Sequence, residues 1–183
     1  MRALERKVEE CGRENSAEWI GAVNPRLNQG PEFRTNCGDC SRAFATTVQS
    51  DRVAAASGDS RLGESPSEMW EWTGVPVANH ISQSDPEELD NFQDEAYQHV
   101  ADQVKQQPAG TVALVWVRWE DLKVGDQRID QGAHWFNAEV TDQGLRWADA
   151  QWGTYAGWPP VYGTRITAIG SLYRRPGETQ WRT

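Results

Sequence analysis

The side chains best suited to chemistry lie in residues 36–40, which read Asn-Cys-Gly-Asp-Cys. Two cysteines three positions apart are typical of half a metal site, of a redox dithiol, or of a catalytic thiol at a helix start. Thr35 or Asn36 can accept the free N–H groups of a first helical turn. Residues that can pack into a core then recur at helical spacing, at Cys37, Cys40, Phe44 and Val48. The pattern therefore predicts a helix that begins at Cys37.

The metal and dithiol interpretations both lack support elsewhere in the chain. A zinc site needs two further ligands, and Cys11, His80 and His99 show no paired spacing, so no metal site is predicted. A redox pair of this spacing belongs at the end of a strand in a βαβ unit, and no strand is predicted before Cys37. Cys40 is then expected to be a small buried residue. These observations favour the catalytic thiol.

The remaining elements indicate an α+β fold. Besides the helix that begins at Cys37, a charged helix is predicted over residues 2–10. Another is predicted over residues 85–107, opened by a Ser cap and a proline in its first turn. Residues 57–84, which precede the helix at 85–107, are loop-like, with a possible short turn at 67–72. The hydrophobic period then changes to that of strands, at 111–119, 132–140, 144–152 and 165–174. Helices followed by a run of strands predict an α+β arrangement.

The turn-rich residues 141–144 fix how two of these strands face each other. A two-residue loop would place Thr141 opposite Gly144, and counting back along both strands places His134 opposite Gln151. Phe136 would then lie opposite Asp149. A three-residue loop would flip one strand and spoil the shared apolar face. The sequence therefore predicts that His134 and Asp149 meet diagonally on one face of a hairpin.

An imidazole, a carboxylate and a thiol together can carry out acyl transfer. Asp149 can accept a hydrogen bond from one ring nitrogen of His134 and so fix the tautomer of the other. A thiol at a helix N-terminus that faces a protonatable His is favoured as the thiolate, and Cys37 could supply it. The backbone N–H of Cys37 is a candidate oxyanion donor, because a helix start leaves such groups unpaired.

Four stretches of the chain, in this order, resemble a known family. They are Asn24-Pro25, residues 36–40 with Ala43, residues 132–135 with Asn137, and residues 149–153. Together they look like the papain-fold toxin domains of bacterial polymorphic toxins, which are similar to the glutamine deamidase effectors of pathogenic bacteria. The resemblance covers roughly residues 20–155.

The resemblance implies a papain-like fold with N-terminal helices packed on a small antiparallel sheet. It implies Cys37 as nucleophile, His134 as base and acid, and Asp149 as the orienting carboxylate, with Asn36 and Gln151 in supporting positions. The reaction would need no cofactor and would convert a reactive Gln of a target protein to Glu. The protein would be secreted or delivered into the cytoplasm of a target cell, with a cognate immunity protein as a second partner.

Composition limits the other possibilities. The formal net charge is −9, and the 18 Lys and Arg form no block that could neutralise phosphates, so no nucleic-acid partner is predicted. No apolar stretch is long enough to span a membrane. Ten Trp exceed the usual number for 183 residues, and some are expected to line a groove.

The sequence leaves two alternative functions open and predicts one domain boundary. The same three residues would also suit a thiol protease, since a peptide bond and a carboxamide pass through the same kind of tetrahedral intermediate. A catalytically inert papain-fold binding module is the alternative outside the enzymes. Residues 1–20 are predicted to form an N-terminal helix and connector, and residues 21–183 the catalytic domain.

Overall fold

The computed structural model of the protein describes residues 2–58 and 64–183. In these ranges the α-helices are α1 (Arg2–Cys11), α2 (Ser16–Trp19), α3 (Cys37–Gln49), α4 (Pro66–Thr73) and α5 (Leu89–Val104). The strands are β1 (Ala78–Ser82), β2 (Val112–Trp119), β3 (Leu122–Val124), β4 (Gln127–Ile129), β5 (Ala133–Thr141), β6 (Gly144–Asp149), β7 (Thr154–Gly157) and β8 (Ile166–Arg174). Short 3-10 turns lie at Ile20–Ala22 and Pro31–Phe33.

Six of these strands form one antiparallel sheet in the order β1-β8-β2-β5-β6-β7, and β3 and β4 form a separate two-stranded hairpin. The sheet is covered on both faces. On one face, Phe44 of α3 and Trp135 of β5 lie in a core that also contains residues of α1 and α2. On the other face, α5 packs against Val115 and Phe136. Burial from both sides explains why β2 is an almost continuous apolar run. The predicted α+β class is confirmed.

Several predicted elements are present at nearly the predicted bounds. The helix that begins at Cys37 is α3, and the N-terminal helix is α1. The four predicted strands correspond to β2, β5, β6 and β8, although β6 ends at Asp149 because residues 150–153 turn back toward β7. Thus the elements that carry the candidate site were read correctly from periodicity and turn residues.

Other elements differ from the prediction. The helix predicted from residue 85 begins at Leu89, because Gln83 and Asp85 hold a turn by accepting hydrogen bonds from the backbone N–H groups of residues 84, 85 and 87. Within the predicted loop, α4 is a full helix with a Ser65–Glu68 capping box, and β1 is an edge strand. Residues 59–63 of that loop lie outside the described residues. Strands β3, β4 and β7 were not predicted, since they are only three or four residues long.

The first helix contributes to the main core. Leu4 and Val8 of α1 are buried in the same cluster as Trp19 and Phe44, and Trp19 packs its ring 5.3 Å from that of Phe44. The boundary at residue 20 between connector and catalytic domain stays a prediction. Residues 2–20 nevertheless share a core with the helix that carries Cys37.

A buried carboxylate joins α2 to the sheet. Glu139 on β5 accepts hydrogen bonds from the Ser16 hydroxyl, at 3.1 Å, and from the Tyr155 hydroxyl, at 2.8 Å. Burial raises the pKa of Glu139 to about 7, against the lowering effect of these two donors. Folding therefore favours the protonated form of Glu139. The stability that this preference contributes is fully present below the ordinary carboxyl pKa, and it is lost as the pH rises through about 7.

A Glu139→Gln variant is expected to gain stability relative to the natural protein as the pH rises. The natural protein must ionise a buried acid, whereas Gln stays neutral, so the difference in unfolding free energy should grow by up to about 3 kcal/mol between pH 4.5 and 8. Urea unfolding at the two pH values measures it. Glu95→Gln, on the exposed face of α5, is the matched control and should show no such trend. A difference for Glu139→Gln that does not vary with pH would contradict the assignment.

Candidate active site

Cys37 is the first residue of α3, and the residue before it is fixed by a buried amide network. Asn36 does not cap the helix with its side chain, which corrects that part of the prediction. Its Nδ2 instead donates to the Ser57 carbonyl at 2.7 Å and to Asn24 Oδ1 at 3.3 Å. Asn24 Nδ2 in turn donates to the Phe33 carbonyl, 2.9 Å away, and to the Gln151 carbonyl, 3.2 Å away. These bonds hold the start of α3 against the turn that follows β6.

The hairpin of β5 and β6 has the predicted register. Thr141 pairs with Gly144, Ala138 with Trp147, and Asn137 with Ala148. The ladder stops before His134 and Gln151 become a pair, because β6 ends at Asp149. His134 Nε2 still lies 2.8 Å from Asp149 Oδ2, and both residues are buried. The prediction that imidazole and carboxylate converge on one side of the hairpin is therefore confirmed.

Asp149 is held by three donors in all. Besides His134, the Tyr162 hydroxyl donates to Oδ2 at 2.9 Å, and the backbone N–H of Gln151 donates to Oδ1 at 3.1 Å. The Tyr162 oxygen accepts a bond from Trp147 Nε1, 3.2 Å away. A carboxylate with this many donors is fixed in orientation. It can therefore direct the His134 ring.

The tautomer and charge of His134 follow from its neighbours. Its Nε2 is engaged by Asp149, which leaves Nδ1 for the Cys37 side chain with which His134 also interacts. Burial by itself lowers the pKa of His134, but the charge and hydrogen bond of Asp149, followed by the interactions with Cys37, outweigh burial and raise it to about 10. The imidazolium is accordingly the favoured form at neutral pH.

A groove of about 650 Å³ opens onto these side chains. Cys37, His134 and Gln151 line it, and its walls include Trp119, Trp152 and Tyr162. A larger cavity of about 730 Å³ lies beside Glu139, but its lining includes none of the three predicted catalytic residues. We assign the site to the smaller groove, because the chemistry-bearing side chains converge there.

Two aromatic walls of the groove were not singled out from the sequence. Trp119 stacks on the His134 ring with centroids 6.1 Å apart, and the edge of Tyr162 approaches the same ring at 5.6 Å. The excess of Trp predicted a groove wall in general terms. No sequence signal marked Tyr162, which lies in the loop between β7 and β8 and reaches Asp149 only through the tertiary fold.

The second cysteine of the motif is in a different environment from the first. Cys40 lies one turn further along α3 and is 1% exposed. Burial raises its pKa well above the usual range for a thiol, and the nearby charges of Cys37, Asp149 and Asp39 raise it further. It therefore stays protonated. Within residues 2–58 and 64–183, no group of three His, Cys, Asp or Glu side chains is arranged to hold a metal ion.

The part of the chain that carries these side chains matches a known family. A family model described as papain fold toxin 1, glutamine deamidase, matches residues 35–154. The chain belongs to this family. The matched residues begin just before Cys37 and extend past Asp149, so they contain all three candidate catalytic residues. The predicted papain-like fold and the suspected family are both confirmed.

Two other comparisons add no relatives, since neither curated proteins nor solved structures gave a match. The family description names a toxin and a glutamine deamidase, and it does not name the target. In the described part of the chain, every helix is too short or too polar to cross a membrane.

Proposed function

We propose that the protein is a cysteine-dependent protein glutamine deamidase that acts as a bacterial toxin. The observation that carries the proposal is the arrangement around His134, which binds Asp149 through Nε2 and shares a groove with Cys37. Membership of a family described as glutamine deamidases supports the reaction. Cys37 is the proposed nucleophile, His134 the acid and base, and Asp149 the positioning carboxylate.

The first half of the reaction forms a thioester. The Cys37 sulfur attacks the carboxamide carbon of a substrate glutamine, and the oxygen becomes an oxyanion. The backbone N–H of Cys37 is a donor for that oxyanion, because the first position of α3 has no acceptor within the helix. His134 then donates its proton to the amide nitrogen, the C–N bond breaks, and ammonia leaves.

The second half of the reaction restores the thiolate. A water molecule gives a proton to His134 as its oxygen attacks the thioester carbon, and the C–S bond breaks. The product is Glu, so the balance is one amide and one water converted to one carboxylate and one ammonium. Gln151 borders the groove, where its Nε2 donates to Asn36 Oδ1 at 3.5 Å, and this position supports a role in binding the substrate carbonyl.

The consequence for a target is a new negative charge. Replacing a neutral amide by a carboxylate disables a buried contact or a catalytic glutamine in the target protein. The toxin description of the family supports two further parts of the proposal, delivery into the cytoplasm of a target cell and a cognate immunity protein that protects the producer.

The proposed reaction is tested with a small and a large substrate. The protein is incubated with benzyloxycarbonyl-Gln-Gly and with the soluble proteins of a cell extract, and iodoacetamide-treated protein serves as the blank. We expect ammonia release from the first and a mass gain of about one dalton at individual Gln residues in the second. New chain ends in the extract without any mass gain would show a thiol protease instead. Neither ammonia nor cleavage would favour the inert binding module.

A further inference from the structure

The hairpin of β3 and β4 presents an apolar face to solvent. Its pairs are Leu122 with Ile129, Lys123 with Arg128, and Val124 with Gln127. Opposite residues share a face and alternate residues return to it. Leu122, Val124, Gln127 and Ile129 therefore share one face, on which Leu122, Val124 and Ile129 are 52%, 53% and 45% exposed.

The other face of the hairpin is basic and lines a different cavity. Lys123 and Arg128 lie on it, and both line a separate cavity of about 450 Å³ together with His80 and Trp116. Leu122, Val124 and Ile129 are absent from the lining of that cavity. The apolar face is thus turned away from it, and two strands with three half-exposed aliphatic side chains have little apolar packing of their own.

The base of this hairpin is part of the catalytic groove. Trp119 precedes the hairpin, residues 130–132 follow it, and all of them line the groove. The Trp119 N–H donates to the Gly132 carbonyl at 3.0 Å, and Asp130 accepts from the Gly132 N–H at 2.7 Å. Arg118 also pairs with Asp130 at 3.2 Å. The residues that flank the hairpin are therefore bonded to one another at the rim of the groove.

We propose that the apolar face of Leu122, Val124 and Ile129 is the docking surface for the target protein, which it contacts through apolar residues beside the reactive glutamine. The inference rests on the proposed function. A glutamine side chain can enter the groove alone, but the protein that carries it must pass the rim, where residues 130–132 line the groove directly after the last strand of the hairpin. An uncharged face at that position binds an apolar patch and contributes to the choice of target.

The test compares a substrate that fills only the groove with substrates that extend past it. The triple variant Leu122→Ser, Val124→Ser, Ile129→Ser is assayed on benzyloxycarbonyl-Gln-Gly and on the soluble proteins of a cell extract. We expect the ratio of the protein rate to the small-substrate rate to fall at least about tenfold, since three aliphatic contacts are removed only from the larger complex. The Val124→Ser variant, with one exposed side chain changed, should lower the ratio about threefold, which keeps the test valid if the triple variant unfolds.

The opposite face of the same hairpin supplies the control. Lys123→Ser with Arg128→Ser should leave the ratio within about twofold of the natural protein. An unchanged ratio in folded triple and single variants overturns the docking surface. So does a natural dimer that the triple variant converts to a monomer, since a second copy would then cover the face. If the natural protein acts on neither substrate, the proposed function fails and the docking surface fails with it, whereas activity with an unchanged ratio rejects the docking surface alone.

Discussion

A Cys37→Ala variant is expected to convert no glutamine above the blank, a loss of at least about 10³-fold. In the proposed mechanism the sulfur forms the thioester, and Cys40 cannot replace it, since that thiol is buried and kept protonated. What would remain is the contribution of the oxyanion donor and of substrate binding. Ammonia release from benzyloxycarbonyl-Gln-Gly measures the loss, and the mass of the intact protein during turnover shows whether the thioester has disappeared.

The matched control for this variant is Cys40→Ala, in the same helix and one turn away. It removes a buried thiol of similar size, so it is expected to cost some stability and to keep most of the activity. Equal losses in both variants would mean that the cysteines act through packing or as a pair. Full activity in Cys37→Ala would reject the nucleophile and with it the proposed mechanism.

An Asp149→Asn variant is expected to lower the deamidation rate by about 10³-fold or more, with the fold intact. The carboxylate accepts from His134 Nε2 and so keeps Nδ1 toward the thiol. An amide can present its NH₂ to the ring instead, which favours the opposite tautomer. The initial rate on benzyloxycarbonyl-Gln-Gly across the pH range checks this expectation.

The pH dependence of the same variant gives a second readout. Asp149 is the main group that raises the pKa of His134 to about 10, while burial lowers it. Without the carboxylate, the pKa of His134 should fall, and less of the imidazolium should be present at neutral pH. The natural protein should therefore react with iodoacetamide faster than the variant at neutral pH.

Tyr162→Phe is the graded comparison for Asp149→Asn. It removes one of the three donors to the carboxylate and leaves its charge, so a loss of only about tenfold is expected. Alkylation at neutral pH should persist in Tyr162→Phe. If Asp149→Asn retains both the rate and the alkylation profile of the natural protein, the carboxylate has no positioning role.

Local sequence signals were sufficient for the elements that carry the three candidate residues. Helical spacing after Asn36 placed Cys37 at a helix start, and the turn residues at 141–144 set the hairpin register that brings His134 to Asp149. Both signals are local, because a helix start depends on its first turn and a hairpin register on its loop length. The suspected family could also be recognised from short stretches in their order.

Elements that depend on distant partners were missed or misplaced. The edge strand β1 is polar and irregular, and it exists because β8 offers it a free edge. Thr35 or Asn36 was expected to cap α3, but tertiary partners orient the Asn36 side chain: its Nδ2 donates to the Ser57 carbonyl and to Asn24 Oδ1, and its Oδ1 accepts from Asn24 Nδ2. Propensity describes what a segment prefers alone, and tertiary hydrogen bonds override it.

By itself, the sequence determined the class of fold, the helix that presents Cys37 and the hairpin that joins His134 to Asp149. Only the tertiary structure decided that Tyr162 also binds Asp149, that Trp119 covers the His134 ring, and that the β3–β4 hairpin stands at the rim of the groove. The reason is physical. Turn and helix signals act over a few residues, whereas these contacts join segments that come together only when the sheet and its covering helices have assembled.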